Sequence, residues 1–150
     1  MILIAHRGNL NGPDPLNENS LDKIKYALSE GYDAEIDVWS INGVYFLGHD
    51  GPLHKLNERE FLKNSKLWCH AKNLEALERL LEDNCHCFWH QSDDFTLTSK
   101  GYIWTYPGRN VSRNSVCVTN EKTLTQAEYN VLKKSCAAIC SDYALILRGM

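Results

Sequence analysis

His6 and Arg7 follow a short apolar run, Ile2 to Ala5, and Glu35 and Asp37 lie two residues apart in an alternating stretch. His49, the pair His70 and Lys72, then His90 and Asp142 close four further strand-like segments. Residues two apart on a strand project from the same face, so Glu35 and Asp37 set two carboxylates side by side. Such a pair repels itself unless a cation lies between, and a divalent metal ion is the natural occupant. Imidazole titrates at about 6.5, so His6 and His49 together could supply both halves of an acid–base reaction near neutral pH. Arg7 and Lys72 could grip phosphoryl oxygens, whose charge a metal would share. These parts answer the needs of phosphodiester cleavage.

The elements that must position these groups alternate. Ile2 to Ala5 reads as a buried strand that opens into a loop at His6-Arg7-Gly8. Ser20 is placed to cap a helix with Leu21, Ile24, Ala27 and Leu28 on its apolar face, stopped by Gly31. Residues 33–39 alternate as a strand, Asn42-Gly43 is a hairpin turn, and residues 44–47 return as a second strand that ends at Gly48-His49-Asp50. Residues 58–62 form a short helix or turn, and residues 67–72 a further strand. Asn73 begins a helix with Leu74, Leu77, Leu80 and Leu81 on one face. Strand-like runs recur at residues 85–90, 102–105, 116–118 and 137–140. A capping box of Thr125 and Glu128, with Leu124 and Tyr129 as a hydrophobic staple, starts a helix that reaches about Lys134.

Alternating strands and helices predict a largely parallel sheet. The expected fold is α/β: a compact, shortened TIM-like (β/α) barrel with several outer helices reduced to loops, in one domain spanning 1–150. A full barrel usually takes about 250 residues, which is why the helices would be lost. The carboxy-terminal strand ends of such a barrel form its catalytic face, where the ionisable groups collect.

Composition narrows the partners. Sixteen basic and nineteen acidic residues give a formal charge of −3 with no long run of either sign, which argues against a nucleic-acid binder working through a general basic field. No apolar run approaches a membrane span, and the amino terminus lacks the basic lead-in and long apolar region of a signal peptide. A cytoplasmic protein acting on a small-molecule phosphodiester is expected. Its six cysteines fit that setting as reduced, buried thiols; Cys85-His86-Cys87 offers only half of a zinc site.

Ala5-His6-Arg7-Gly8, Glu18-Asn19-Ser20, Glu35-Ile36-Asp37-Val38 and His49-Asp50 stand in order, followed by Ala71-Lys72-Asn73 and Ser141-Asp142-Tyr143. This series resembles the signature of the glycerophosphodiester phosphodiesterase family. The resemblance runs from the first strand to the last, with residues 85–118 compressed. It implies that His6 and His49 are the general acid and base, that Glu35 and Asp37 bind magnesium or calcium, and that Arg7 contacts phosphate. It also implies a supporting hydrogen-bonding role for Glu18. The chain departs from the pattern in two ways. His70 stands where the family has a third acidic ligand, which turns the choice of metal toward manganese or zinc. It reads either as that ligand or as a strand-end histidine held by a hydrogen bond. The usual substrate-covering insertion after the HD motif is also absent. The implied activity is hydrolysis of glycerophosphodiester-like or related polyol phosphodiesters. The alternatives are a lyase that releases a cyclic phosphate and a non-catalytic barrel that binds phosphoglycans or headgroups. His90 and Trp104 read either as pocket lining or as ordinary packing, the second favoured, and Asp142 either orients a neighbour or caps its strand.

Overall fold

The computed structural model describes residues 1–119 and 124–150. Its strands are β1 (Ile2–Ala5), β2 (Asp33–Ile41), β3 (Val44–Leu47), β4 (His54–Lys55), β5 (Leu67–Ala71), β6 (Cys87–Phe88), β7 (Phe95–Leu97), β8 (Ile103–Thr105), β9 (Ser115–Val118) and β10 (Ala138–Ser141). The helices are α1 (Leu21–Ser29), α2 (Leu74–Glu82), α3 (Gln126–Ser135) and α4 (Ala144–Arg148). Parallel pairing links β6 to β5, β5 to β2, β2 to β1, β1 to β10, β10 to β9 and β9 to β8. The β2–β3–β4 and β7–β8 pairings are antiparallel.

The expectation of a shortened, helix-sheathed TIM-like barrel is therefore corrected. Among the described residues, the strands form one mixed, curled sheet, an open half-barrel with four α-helices. Its two parallel margins, β6 and β8, share no ladder. With two and three residues, they are too short to close one, and β7 takes the place beside β8. Between the margins run isolated contacts: Ser99 N–H donates to the Cys87 carbonyl at 2.8 Å, and Thr96 Oγ1 to the Trp89 carbonyl at 2.8 Å. A chain of 150 residues has no length for eight strand–helix units.

Alternation along the parallel strands divides the apolar side chains between two faces. Ile4, Trp68, Phe88, Trp104, Val116, Val118, Ala138 and Cys140 form one cluster, within which the Phe88 and Trp104 rings stack at 4.4 Å between centroids. The neighbouring positions Ala34, Ile36, Val38, Leu67, Cys69 and Ala71 pack instead with Ile24 of α1 and with Ala76 and Leu80 of α2. The face of α2 differs from its leucine pattern: Leu74 is 76% exposed and Leu81 53%, whereas Ala76 is buried. Its N-cap is Asn73, whose side chain accepts from Ala76 N–H. The capping box on α3 forms as expected, with Leu124 and Tyr129 in one cluster. Among the described residues, no helix is long and apolar enough to cross a membrane.

Candidate active site

The first-strand group is set by a tight turn. After β1, residues His6–Gly8 make a single helical turn in which Arg7 takes a left-handed backbone (φ 53°). Its N–H donates to Glu35 Oε2 at 3.1 Å, which ties the turn to β2. A left-handed arginine is uncommon, and strain of this kind persists only where surrounding contacts hold it. On β2, Glu35 and Asp37 point together into the sheet's concave end, and both are buried. The register of β5 against β2 sets Asp37 opposite His70. His49 arrives by another route. β2 overshoots, turns at Asn42-Gly43 and returns as β3, so that Leu47 pairs with Val38 and the chain re-enters beside the acidic residues.

Glu35, Asp37 and His70 each offer a ligand atom, and these atoms lie within 4.8 Å of one another. His70 Nδ1 is 3.1 Å from Asp37 Oδ1 and 3.8 Å from Glu35 Oε1. The other ring nitrogen, Nε2, is 2.9 Å from the His90 carbonyl, which can only accept, so Nε2 carries a proton. Nδ1 must then be protonated to face Asp37, or present its lone pair to a cation. The hydrogen-bonded reading of His70 therefore rests on Nε2, while Nδ1 is the nitrogen free to serve as a ligand. Asp37 Oδ1 is buried and accepts no well-directed hydrogen bond. A buried, orphaned carboxylate oxygen beside a second carboxylate and an imidazole fits a divalent cation.

Burial and the adjacent Asp37 charge hold the Glu35 carboxyl above its usual range. Burial also opposes ionisation of Asp37. There the close approach and charge of His70, the Lys72 charge and the Asn19 hydrogen bond prevail, and its carboxyl lies well below the usual range. The pair thus separates into one carboxyl that resists ionisation and one that favours it.

His6 Nδ1 lies 3.0 Å from Asp142 Oδ1, and its Nε2 is 3.9 Å from Glu35 Oε2. Burial disfavours the imidazolium, but the hydrogen bond that Nδ1–H donates to Asp142 and the charges of Glu35 and Asp142 outweigh it, so the pKa is raised. Asp142 also accepts from Asn9 Nδ2 at 2.8 Å. Arg7 Nη1 donates to Glu18 Oε1 at 2.8 Å, and Arg7 Nε is 3.5 Å from Asp37 Oδ2. Lys72 Nζ is 3.4 Å from Asp37 Oδ1. His49 is 37% exposed in its side chain and bonds through Nδ1 to Asp50 Oδ1 at 2.7 Å.

A cavity of about 610 Å³ is lined by His6, Arg7, Glu35, Asp37, His49, His70 and Lys72. Glu18 and Asp142 stand behind it, one holding Arg7 and the other His6. The remaining wall comprises His90, Gln91, Ser92, Trp104, Tyr106, Pro107 and Val118. His90 and Trp104, for which packing is the favoured reading of the sequence and pocket lining the alternative, face the cavity. Gln91, Ser92, Tyr106, Pro107 and Val118 of this wall carry no mark in the sequence, nor does Asn9, and Asn19 stands in the Glu18-Asn19-Ser20 motif without a role of its own. The six cysteines are free and take no part; burial pushes the Cys85 and Cys117 thiols up to about 11, where a thiolate nucleophile is scarce at neutral pH. His86 lies away from the cavity and bonds Thr98 Oγ1 at 2.9 Å. No family model matches this chain, and neither does any curated protein or solved structure with which it was compared.

Proposed function

We propose that this chain is a metal-dependent phosphodiesterase that cleaves glycerophosphodiester-like or related polyol phosphodiesters by acid–base catalysis with His6 and His49. One observation carries the reading: both imidazoles line the cavity that holds the Glu35–Asp37–His70 group and the cations Arg7 and Lys72. The ordered resemblance of the motifs to glycerophosphodiester phosphodiesterases supports the same chemistry.

Glu35, Asp37 and His70 would hold the cation, which when bound polarises a phosphoryl oxygen and offsets its charge. The mixed oxygen and nitrogen donors favour manganese or zinc over calcium. Arg7, fixed by Glu18, and Lys72 bind the anionic oxygens. His6 keeps its Nδ1 proton on Asp142, leaving Nε2 toward the cavity. Asp142 stabilises the imidazolium, so His6 is suited to give a proton to the departing alkoxide. His49, oriented by Asp50, is suited to take the proton of the attacking hydroxyl. Six free thiols accord with a reducing, cytoplasmic setting.

The test is turnover of bis(4-nitrophenyl) phosphate and of a glycerophosphodiester, with manganese, magnesium, calcium or zinc added singly. Metal-stimulated cleavage is the expected result, lost in His49→Ala on both substrates and in His6→Ala on the glycerophosphodiester, whose departing alkoxide needs the proton. Headgroup binding without turnover under every metal would overturn the enzymatic reading in favour of a binding module. Phosphorus NMR of the product separates a monoester, expected of a hydrolase, from the cyclic ester of a lyase.

A further inference from the structure

The segment between β1 and α1 carries Asn19, which is fully buried and takes a left-handed backbone (φ 62°). Its N–H donates to the Arg7 carbonyl at 3.0 Å, joining two left-handed non-glycine residues of the site. Asparagine is among the few residue types that enter this region readily. The side chain makes two hydrogen bonds to a single partner. Oδ1 accepts the Asp37 N–H at 2.9 Å, and Nδ2 donates to Asp37 Oδ2 at 2.9 Å. Only a side-chain amide offers a neutral acceptor and donor in one rigid fork.

This clamp settles which oxygen of Asp37 is engaged. Oδ2 is held by Asn19, so the plane of the carboxylate is set by a buried amide that cannot rotate without losing both bonds. Oδ1 is left facing His70 Nδ1 at 3.1 Å and Lys72 Nζ at 3.4 Å, buried and without a well-directed hydrogen bond. We propose that Asn19 is the positioning residue of the cation site, selecting Asp37 Oδ1 as the oxygen offered to a divalent ion. The inference rests on the metal-dependent reading above and adds to it the residue that orients the ligand.

Outer partners of ligating groups commonly control metal affinity by roughly 10- to 100-fold. The experiment uses Co²⁺ with the full chain near neutral pH, comparing the unaltered protein with Asn19→Gly and Asn19→Asp. Glycine accepts the left-handed backbone, so Asn19→Gly removes the clamp without adding strain. Asn19→Asp keeps an acceptor for the Asp37 N–H but sets a second carboxylate oxygen against Oδ2 in place of the donor, so it breaks the clamp by a different route. Titration is expected to show Co²⁺ bound at least about tenfold more weakly by Asn19→Gly. The visible absorption bands of the bound ion should change in both variants. A residue that merely supports the fold would lower the melting temperature and leave the spectrum of bound Co²⁺ as it was. If Co²⁺ binds both variants with unaltered affinity and spectrum, Asn19 has no positioning role, and the metal reading stands. If the unaltered protein binds no Co²⁺, Mn²⁺ or Zn²⁺, the metal reading fails and this inference with it.

Discussion

His6 and Asp142, 136 positions apart in the chain, meet at 3.0 Å because β1 and β10 are parallel neighbours in register, Ala5 beside Ser141. The two residues that follow these strand ends are thereby brought together on the cavity rim. The contact fixes the Nδ1 proton of His6 and raises the pKa of its ring, against the effect of burial.

Asp142→Asn should therefore act on the pH profile more than on the fold. Asparagine can still accept from Asn9 but no longer stabilises an imidazolium. If His6 must be protonated to work, activity falls on the alkaline side as that proton leaves, and this limb should move to lower pH in the variant. The rate at the optimum should drop roughly 10²-fold, within the range for a general acid. The stability linkage has the same sign: a folded pKa above the unfolded value contributes stability below about 6.5 that is lost as pH rises through the folded value. A pH–rate profile that is superimposable on the parent's would refute the pairing's role.

Adding a metal should stabilise the protein. An ion bound to the folded state alone at a hundred times its Kd contributes about 2.7 kcal/mol. For a chain of this size that amounts to a rise in Tm of roughly 5–10 °C. Glu35→Gln should show the opposite balance. It relieves the repulsion between two buried carboxylates, and the amide oxygen can still accept the Arg7 N–H. The metal-free variant should melt no lower than its parent, yet lose most of the Mn²⁺-induced shift. Thermal melts with and without Mn²⁺ check both halves; a shift that persists undiminished in Glu35→Gln would exclude Glu35 as a ligand.

Much of the site was readable because strand periodicity is strict. Two-residue spacing alone places Glu35 and Asp37 on one face, and strand ends alone bring His6, His70 and Asp142 to one rim. The Asn42-Gly43 turn and the Thr125–Glu128 box are local devices, and local chemistry announces them. What escaped depends on distant partners. Asn9 and Asn19 look like ordinary loop residues until tertiary contacts reveal that each grips a buried carboxylate. The leucines of α2 overstated its apolar face, since the packing there is made by Ala76 and Leu80. Closure of the sheet escaped because it depends on how far β6 and β8 can extend toward each other, which residue patterns do not encode.

His86 gives a pH dependence unrelated to catalysis. Burial, helped by the Lys100 charge, pushes its pKa down to about 4, so the folded protein keeps this ring neutral. The unfolded chain takes up its proton near 6.5. Between pH 6.5 and 4 the unfolded state therefore binds more protons, and stability must fall as pH falls through that window. The contribution is at most about 3 kcal/mol, fully present above pH 6.5. Urea melts across that window should show the slope in the parent and a shallower one in His86→Gln. Equal slopes would show that the loss arises elsewhere.

Gly48 decides where His49 stands. Its backbone (φ 147°) suits glycine, and a Cβ there would collide with the Gly51 carbonyl and lie 3.2 Å from Leu53. The peptide is pinned on both sides: Gly48 N–H donates to the Asp37 carbonyl at 3.1 Å, and Trp39 Nε1 donates to the Gly48 carbonyl at 2.7 Å. Gly48→Ala cannot relieve the clash by shifting β3 without breaking these bonds, so residues 48–51 must rearrange and carry His49 with them. The expected cost is about 2 kcal/mol in stability. Activity should fall roughly 10²-fold, as for loss of a general base. The variant should still bind Mn²⁺, because Glu35, Asp37 and His70 are supplied by other strands. That combination of retained metal binding and lost turnover distinguishes a displaced His49 from a damaged cation site. Full activity in a correctly folded Gly48→Ala protein would mean that the position of His49 does not matter to the chemistry.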